Sequence, residues 1–541
     1  MTREKYLILS LTLTFTSCGT ILQNQATKNF KDPITKTAYY KSLNKYQQDF
    51  IYLKTICEKY FPKVDDYYPK KDRTKEESET VKKLGNNRIT DLEFSLYLKK
   101  YLSHFDNQHT QIGSTGLTIM GIYPFIPFNR DSSWYILNIA KGQNQNLIGK
   151  RIIAFNDVGI NEYEKRLFEF VSAENVTSKR KEIANWWYRP TLHEFLLGKP
   201  IDSVKITTEN GDNIWLKKLM AGKLEWTLTE KDFKSHPITK YRDKIYDYNI
   251  IDSLGLTYFQ FHECYDKVEI NEAMKSYVKP WIRPLANLYV NIQTNKKNPS
   301  DRLKKYFDPS RPIFSQYVNK MIKESNDKGI QKLIIDLRGN NGGSEAICLQ
   351  LMYHLTDKNN LKDFKEYVKN SVFYKHYFEK EYKRKIELYR QANGNIPSKD
   401  SLFFSGYSNS DKVLFDKITN PKSPYYIPKE RPIFKGKIVI IADYSSHSAG
   451  ALFTALLQDN GIGQVIGTEV SNNPTGPTSW TPFKLPNSKL QATIPSSYLV
   501  RPNPTNGKLL IPDIKAEKAF GDLFNGRDPL FDKAMEILNV D

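Results

Sequence analysis

At 541 residues the chain is several times the usual length of one folding domain. Its 39% hydrophobic and 13% aromatic residues supply ample material for packed cores, which excludes a small disulfide scaffold and a disordered chain. The 80 Lys and Arg against 60 Asp and Glu leave a formal charge of +20, but the cations are scattered. No helix-turn-helix pattern, zinc-finger spacing or RNP-type aromatic motif accompanies them, so no nucleic-acid partner is expected.

In chain order, Arg3 and Lys5 precede an apolar and hydroxylated stretch, Tyr6 to Thr16, too short to span a bilayer. Phe15-Thr16-Ser17-Cys18 then places small residues just before a cysteine. This resembles a bacterial lipoprotein signal, with Phe15 where Leu is commoner. The resemblance implies cleavage after residue 17, lipidation of Cys18, and a lipid-anchored location in the bacterial cell envelope, facing the periplasm or the exterior. Residues 18–40 read as a polar tether. Residues 41–113 read as a helical domain from the spacing of Phe50, Leu53, Ile56, Cys57 and Tyr60 and of Leu92, Phe94, Leu96, Leu98 and Leu102, interrupted by a charged loop from Pro69 to Lys75.

Residues 114–222 are β-rich: Leu117 to Pro127, Trp134 to Ile139, Leu147 to Asn156 and Ser203 to Leu219, with helical spacing near Glu162 to Val171. The phrase from Asn146 to Val158, with Gly149 ahead of a buried strand and a turn at Asn156-Asp157-Val158, resembles a PDZ domain. That resemblance implies a sheet edge able to pair with an extended peptide. From 223 onward, strands at Leu254 to Phe261, Lys332 to Leu337 and Lys437 to Ala442 alternate with helices at Ile313 to Lys328, Ala346 to Leu355 and Ala449 to Gln458. The fold class is therefore α/β, its two parts at 223–355 and 431–541. The Lys- and Tyr-rich stretch 356–430 between them reads as a helical insertion. Cys57, Cys264 and Cys348 are far apart in sequence and read as buried thiols. His193-Glu194 and His262-Glu263 each lack the second His of a zinc motif, so no metal or organic cofactor is expected.

Two loops carry candidate chemistry, each following a buried strand and preceding a helix. The first is Asp336-Leu337-Arg338-Gly339-Asn340-Asn341-Gly342-Gly343-Ser344, whose glycines would let backbone N–H groups converge on an anion; a simple glycine turn would look the same. The second is Asp443-Tyr444-Ser445-Ser446-His447-Ser448-Ala449-Gly450, where Ser448 opens a helix; an N-cap serine accounts for that position equally well. Together, and in this order, they resemble the S41 serine peptidases, the C-terminal processing and tricorn-like family. Phe453, Gln458-Asp459-Asn460-Gly461, Val465-Ile466-Gly467 and Ile511-Pro512-Asp513-Ile514 extend the resemblance over about 250–355 and 431–515.

The resemblance implies a serine peptidase acting on protein or peptide substrates, with Ser448 as nucleophile. It implies an oxyanion hole from the N–H of Ala449 and one from Gly342 or Gly343. In the same register the processing-peptidase lysine, 25 positions after the serine, falls on Asn473, which cannot act as a base at neutral pH. The tricorn-like branch instead draws a histidine from the N-terminal side, and Phe105-Asp106-Asn107-Gln108-His109-Thr110 makes His109 the candidate base. That branch's supporting glutamate falls near Asn506, and Glu469 is a second candidate for orienting the base. His447 is expected to point away from Ser448. Asn473 and Asn506 keep open a second reading, a catalytically silent S41-like lipoprotein that binds peptides.

Overall fold

The computed structural model describes residues 29–540 apart from 87–88, 114–120, 221, 223, 243, 278–279, 295–311, 359 and 407–412. Cys18 and its signal, and residues 117–120 of the first expected strand, lie outside the described residues. Among the described residues no helix is long and apolar enough to cross a membrane.

The N-terminal region is helical. Asn44 caps the helix Lys45–Tyr60 and Thr90 caps Asp91–Ser103, each in a reciprocal box with Gln47 or Glu93 that gives partners to the N-cap and third-residue N–H groups. The expected charged loop from Pro69 to Lys75 is instead the start of the helix Lys70–Leu84. Pro69 precedes it, Asp72 lies in its first turn and Lys82 and Lys83 in its last, as the helix dipole favours. Its few apolar residues hid it. What docks this helix includes Arg73, buried and ion-paired with Glu58 and Asp65.

Next comes an antiparallel sheet in the order Phe125–Arg130, Ser133–Ile139, Arg151–Phe155, Ser203–Thr208, Asn213–Lys217. Its core gathers Trp134, Phe155, Tyr163 and Trp187. Of its helices, Ile160–Phe168 coincides with the sequence expectation, whereas Val176–Ile183 and Pro190–Leu197, each only eight residues long, were not read beforehand.

The C-terminal half is built on a six-stranded sheet in the order Ile514–Lys515, Gln464–Gly467, Lys437–Ala442, Lys332–Asp336, Leu256–Phe261, Tyr246–Ile251. All pairings are parallel except the last. Both faces are covered, which is why the strands read as continuous apolar runs. Leu333, Ile335 and Ile440 face the helices Phe314–Asp327, Glu345–Leu355 and Ala449–Asp459, while Ile334, Val439 and Ile441 face Pro529–Asn539.

The 356–430 stretch departs from the helical expectation. Besides the helices Val372–Tyr377, Glu379–Asn393 and Val413–Thr419 it contributes the strands Lys365–Lys369 and Leu402–Phe404. These join Ser497–Val500 and Gly476–Thr478 in a four-stranded sheet. Pairing with a strand more than a hundred residues away is not visible in a local, charge-rich pattern. A last, three-stranded sheet ties Gln111–Ile112 to Gln491–Ile494 and Thr481–Lys484, stitching the N-terminal region to the C-terminal half.

Candidate active site

Strands Lys332–Asp336 and Lys437–Ala442 are parallel neighbours with Asp336 opposite Ile441, so the loops that follow them leave the same edge of the sheet. They bind each other directly. Gly339 N–H donates to Ser445 Oγ (2.6 Å), Ser446 Oγ to Leu337 O (2.8 Å) and His447 N–H to Asn340 O (2.8 Å). Beneath the first loop, the Arg338 guanidinium grips Asp336 and Asp528, and the Tyr258 hydroxyl also donates to Asp336. Burial alone would raise the Asp528 carboxyl, but Arg338, Thr239 and Lys518 together hold it below the usual range.

Ser448 has φ 52° and ψ −126° and its side chain makes no capping bond. A capping serine has extended backbone and accepts from the first turn, so this residue is not a cap. Positive φ in a non-glycine residue costs on the order of 1–2 kcal/mol, and the surroundings hold it in place. Its own N–H donates to Asn472 Oδ1 at 2.6 Å, and the first free N–H groups of the helix Ala449–Asp459 open beside it.

The glycine loop is pressed against the serine. A Cβ on Gly342 would lie 2.6 Å from Ser448 Cβ and 2.9 Å from Ala449 N, and one on Gly343 would lie 2.4 Å from Cys264 O. Their φ angles, +87° and +141°, also favour glycine. Gly342 N–H is taken by Asn340 Oδ1 at 2.8 Å, which removes it from the two expected oxyanion donors. Gly343 and Ala449 have no such partner for their N–H groups among the described residues. Asn340 is fully buried. Its amide also donates to Phe261 O (2.7 Å), and its Oδ1 occupies the space a Cβ on Gly450 would need.

The 105–112 segment crosses to this site from the helical region. Asn107 Oδ1 accepts from His109 N–H (3.0 Å) and Thr110 Oγ1 (3.3 Å), and its amide donates to Glu174 Oε1 (3.1 Å) and Pro477 O (2.8 Å). Thr493 Oγ1 donates to His109 O at 2.8 Å. The His109 ring thereby comes to rest with its centroid 6.1 Å from that of His447, the residue before Ser448. The His447 ring, expected to point away from Ser448, lies beside the candidate base.

The two expected orienting residues each have a partner of their own. Asn506 donates to Asp459 Oδ1 (2.7 Å) at the last residue of the helix that Ala449 begins, about 15 Å of helix away from Ser448. Glu469 accepts from Thr177 Oγ1 (3.2 Å), bound to the helix Val176–Ile183. The sequence reading missed Glu174, the carboxylate wired to the His109 turn. It also missed Asn472, which holds the serine's N–H and sits one position before the lysine-aligned Asn473.

A family model described as peptidase family S41 matches residues 288–516. Among solved structures, mature CPAF is 14% identical, with 91% of this chain and 95% of that chain covered at a TM-score of 0.55. Mature CPAF complexed with lactacystin is also 14% identical, with 91% and 97% covered at a TM-score of 0.56. No curated protein matches the chain. The chain therefore shares the fold of mature CPAF, with a helical N-terminal region and an α/β C-terminal half that carries the serine loop.

Proposed function

We propose that the protein is a serine endopeptidase that cleaves peptide bonds through an acyl-enzyme on Ser448. Ser448 Oγ attacks the scissile carbonyl as His109 takes its proton, and the N–H groups of Gly343 and Ala449 receive the oxyanion. The same histidine then protonates the leaving amine, and a water, deprotonated in turn, releases the acyl group. The observation that carries this reading is the strained, uncapped backbone of Ser448 at a helix start, packed against Gly342. Strain of this kind persists where the function needs an exposed nucleophile.

A fluorophosphonate probe should label Ser448. His109→Ala should lower hydrolysis on the order of 10²–10⁴-fold and His447→Ala far less. A folded, processed protein that never labels would favour the silent peptide-binding reading, which rests on Asn473 and Asn506.

Two further parts belong to the proposal. The β-rich region 114–222 acts as a PDZ-like module that pairs an extended substrate with a sheet edge. Its deletion should impair cleavage of long polypeptides more than hydrolysis of a small activated ester, and equal losses would refute this role. Cys18 carries the lipid that holds the protein in the bacterial envelope. Cys18→Ser should release it from the membrane fraction, and finding residues 1–17 on the mature protein would refute the anchor.

A further inference from the structure

Cys264 and Cys348, 84 positions apart in sequence, meet in the fold with their Sγ atoms 3.3 Å apart. Both are free thiols, with Cys264 fully buried and Cys348 nearly so. Their place matters more than their proximity. Cys264 donates its N–H to Gly342 O (2.9 Å) and accepts from Ser344 N–H (2.9 Å), so its backbone brackets Gly343, and its carbonyl fills the space beside that glycine. The Cys264 thiol also reaches Asn340 Oδ1 (3.5 Å), the atom that holds Gly342 N–H. Cys348 belongs to the helix Glu345–Leu355, and its Sγ lies 3.8 Å from Ala449 O. The two thiols thus underlie the two halves of the proposed oxyanion hole.

We propose that Cys264 and Cys348 form an oxidation site whose disulfide disables the oxyanion hole, an inference that rests on the peptidase reading above. With a peroxide as oxidant, the Cys348 thiolate attacks one peroxide oxygen and the O–O bond breaks. The departing hydroxide leaves as water with the thiol proton, and Cys348 becomes a sulfenic acid. Cys264 then attacks that sulfur, the S–O bond breaks, and a second water leaves with the second thiol proton. Two electrons pass from the sulfur pair to the peroxide.

Closing the sulfurs from 3.3 Å to the roughly 2.05 Å of a disulfide draws them together by more than about 1 Å. Cys264 cannot follow without carrying Gly343, because its N–H and carbonyl hold the residues on either side of that glycine. An oxyanion donor works within about 2.7–3.1 Å of the developing charge, and an error near 1 Å costs about 10²-fold in rate. Burial raises the Cys348 thiol well above its ordinary value, so the reaction follows opening of the core and is slow.

The test treats the folded full-length protein with hydrogen peroxide, then maps thiols by alkylation and non-reducing digestion. Expected is a cross-linked peptide pair containing Cys264 and Cys348, with Cys57 still alkylated after denaturation. Fluorophosphonate labelling of Ser448 should fall about 10²-fold and recover with dithiothreitol. Cys348→Ser, and independently Cys264→Ser, should label at the same rate before and after peroxide. Absence of the cross-linked pair overturns the site, and a cross-link that leaves labelling unchanged overturns the switch. A protein that forms the cross-link but never labels, even when reduced, refutes the peptidase reading and not the oxidation site.

Discussion

The contact between the glycine loop and Ser448 gives the site's strongest test. In Gly342→Ala the new methyl would start 2.6 Å from Ser448 Cβ, 2.8 Å from His447 O and 2.9 Å from Ala449 N, whereas ordinary contact begins at 3.4 Å. Relief therefore requires the loops to part by on the order of 1 Å, and a misplacement of that size costs about 10²-fold in rate. The φ of +87° adds about 1–2 kcal/mol of backbone strain to the folded state. Gly142 provides the control: its φ is +84°, but a Cβ there meets nothing within 4 Å. Both variants should lose about 1–2 kcal/mol in urea unfolding from backbone strain, with any further loss confined to Gly342→Ala. That variant alone should slow fluorophosphonate labelling and peptide hydrolysis by about 10²-fold. Equal rates in the two variants would refute the argument that the Gly342–Ser448 contact sets the site's geometry.

Asn107→Leu should destabilise the fold by about 2–6 kcal/mol, since it strips the fully buried bonds to His109 N–H and Pro477 O at about 1–3 kcal/mol each; urea midpoints would show it. At position 448, Ser448→Gly should be more stable than Ser448→Ala by about 1 kcal/mol, because only glycine adopts φ near 52° freely, although both abolish hydrolysis. The reverse order would mean that the strain is absent.

Burial holds the imidazoles of His193 and His354 down at about 4, so both are neutral in the fold but protonate near 6.5 when unfolded. Their stabilising contribution is complete above pH 6.5 and is lost as pH falls toward 4, by about 3 kcal/mol each. Thermal unfolding across that range should show the decline, and His354→Leu should flatten it by about one proton.

The sequence by itself determined the parts whose cause is local. Continuous apolar runs such as Lys437–Ala442 read as buried parallel strands because both faces are covered, and the helix from Ala449 followed from its period. The two loops were legible because glycine and serine in such positions leave a compositional mark. The helix Lys70–Leu84 was not legible, because charged side chains form it and an ion-paired Arg73 helps dock it. Nor were the strands Lys365–Lys369 and Leu402–Phe404, which are strands by virtue of a distant partner.

Only the tertiary structure decided which N–H groups remain available at the site. Asn340 claims that of Gly342, and nothing in the spacing Asn340-Asn341-Gly342-Gly343 distinguishes the two glycines. It also decided that Asn506 lies at the far end of the helix that Ala449 begins, and that Glu174 and Asn107 secure the His109 turn. The Asn107–Glu174 and Asn506–Asp459 bonds join residues 67 and 47 positions apart, and the short-range Asn340–Gly342 bond depends on an Asn340 side chain that Phe261 O, 79 positions away, also holds. Such a bond forms where folding places a donor and an acceptor together, and local composition carries no record of it.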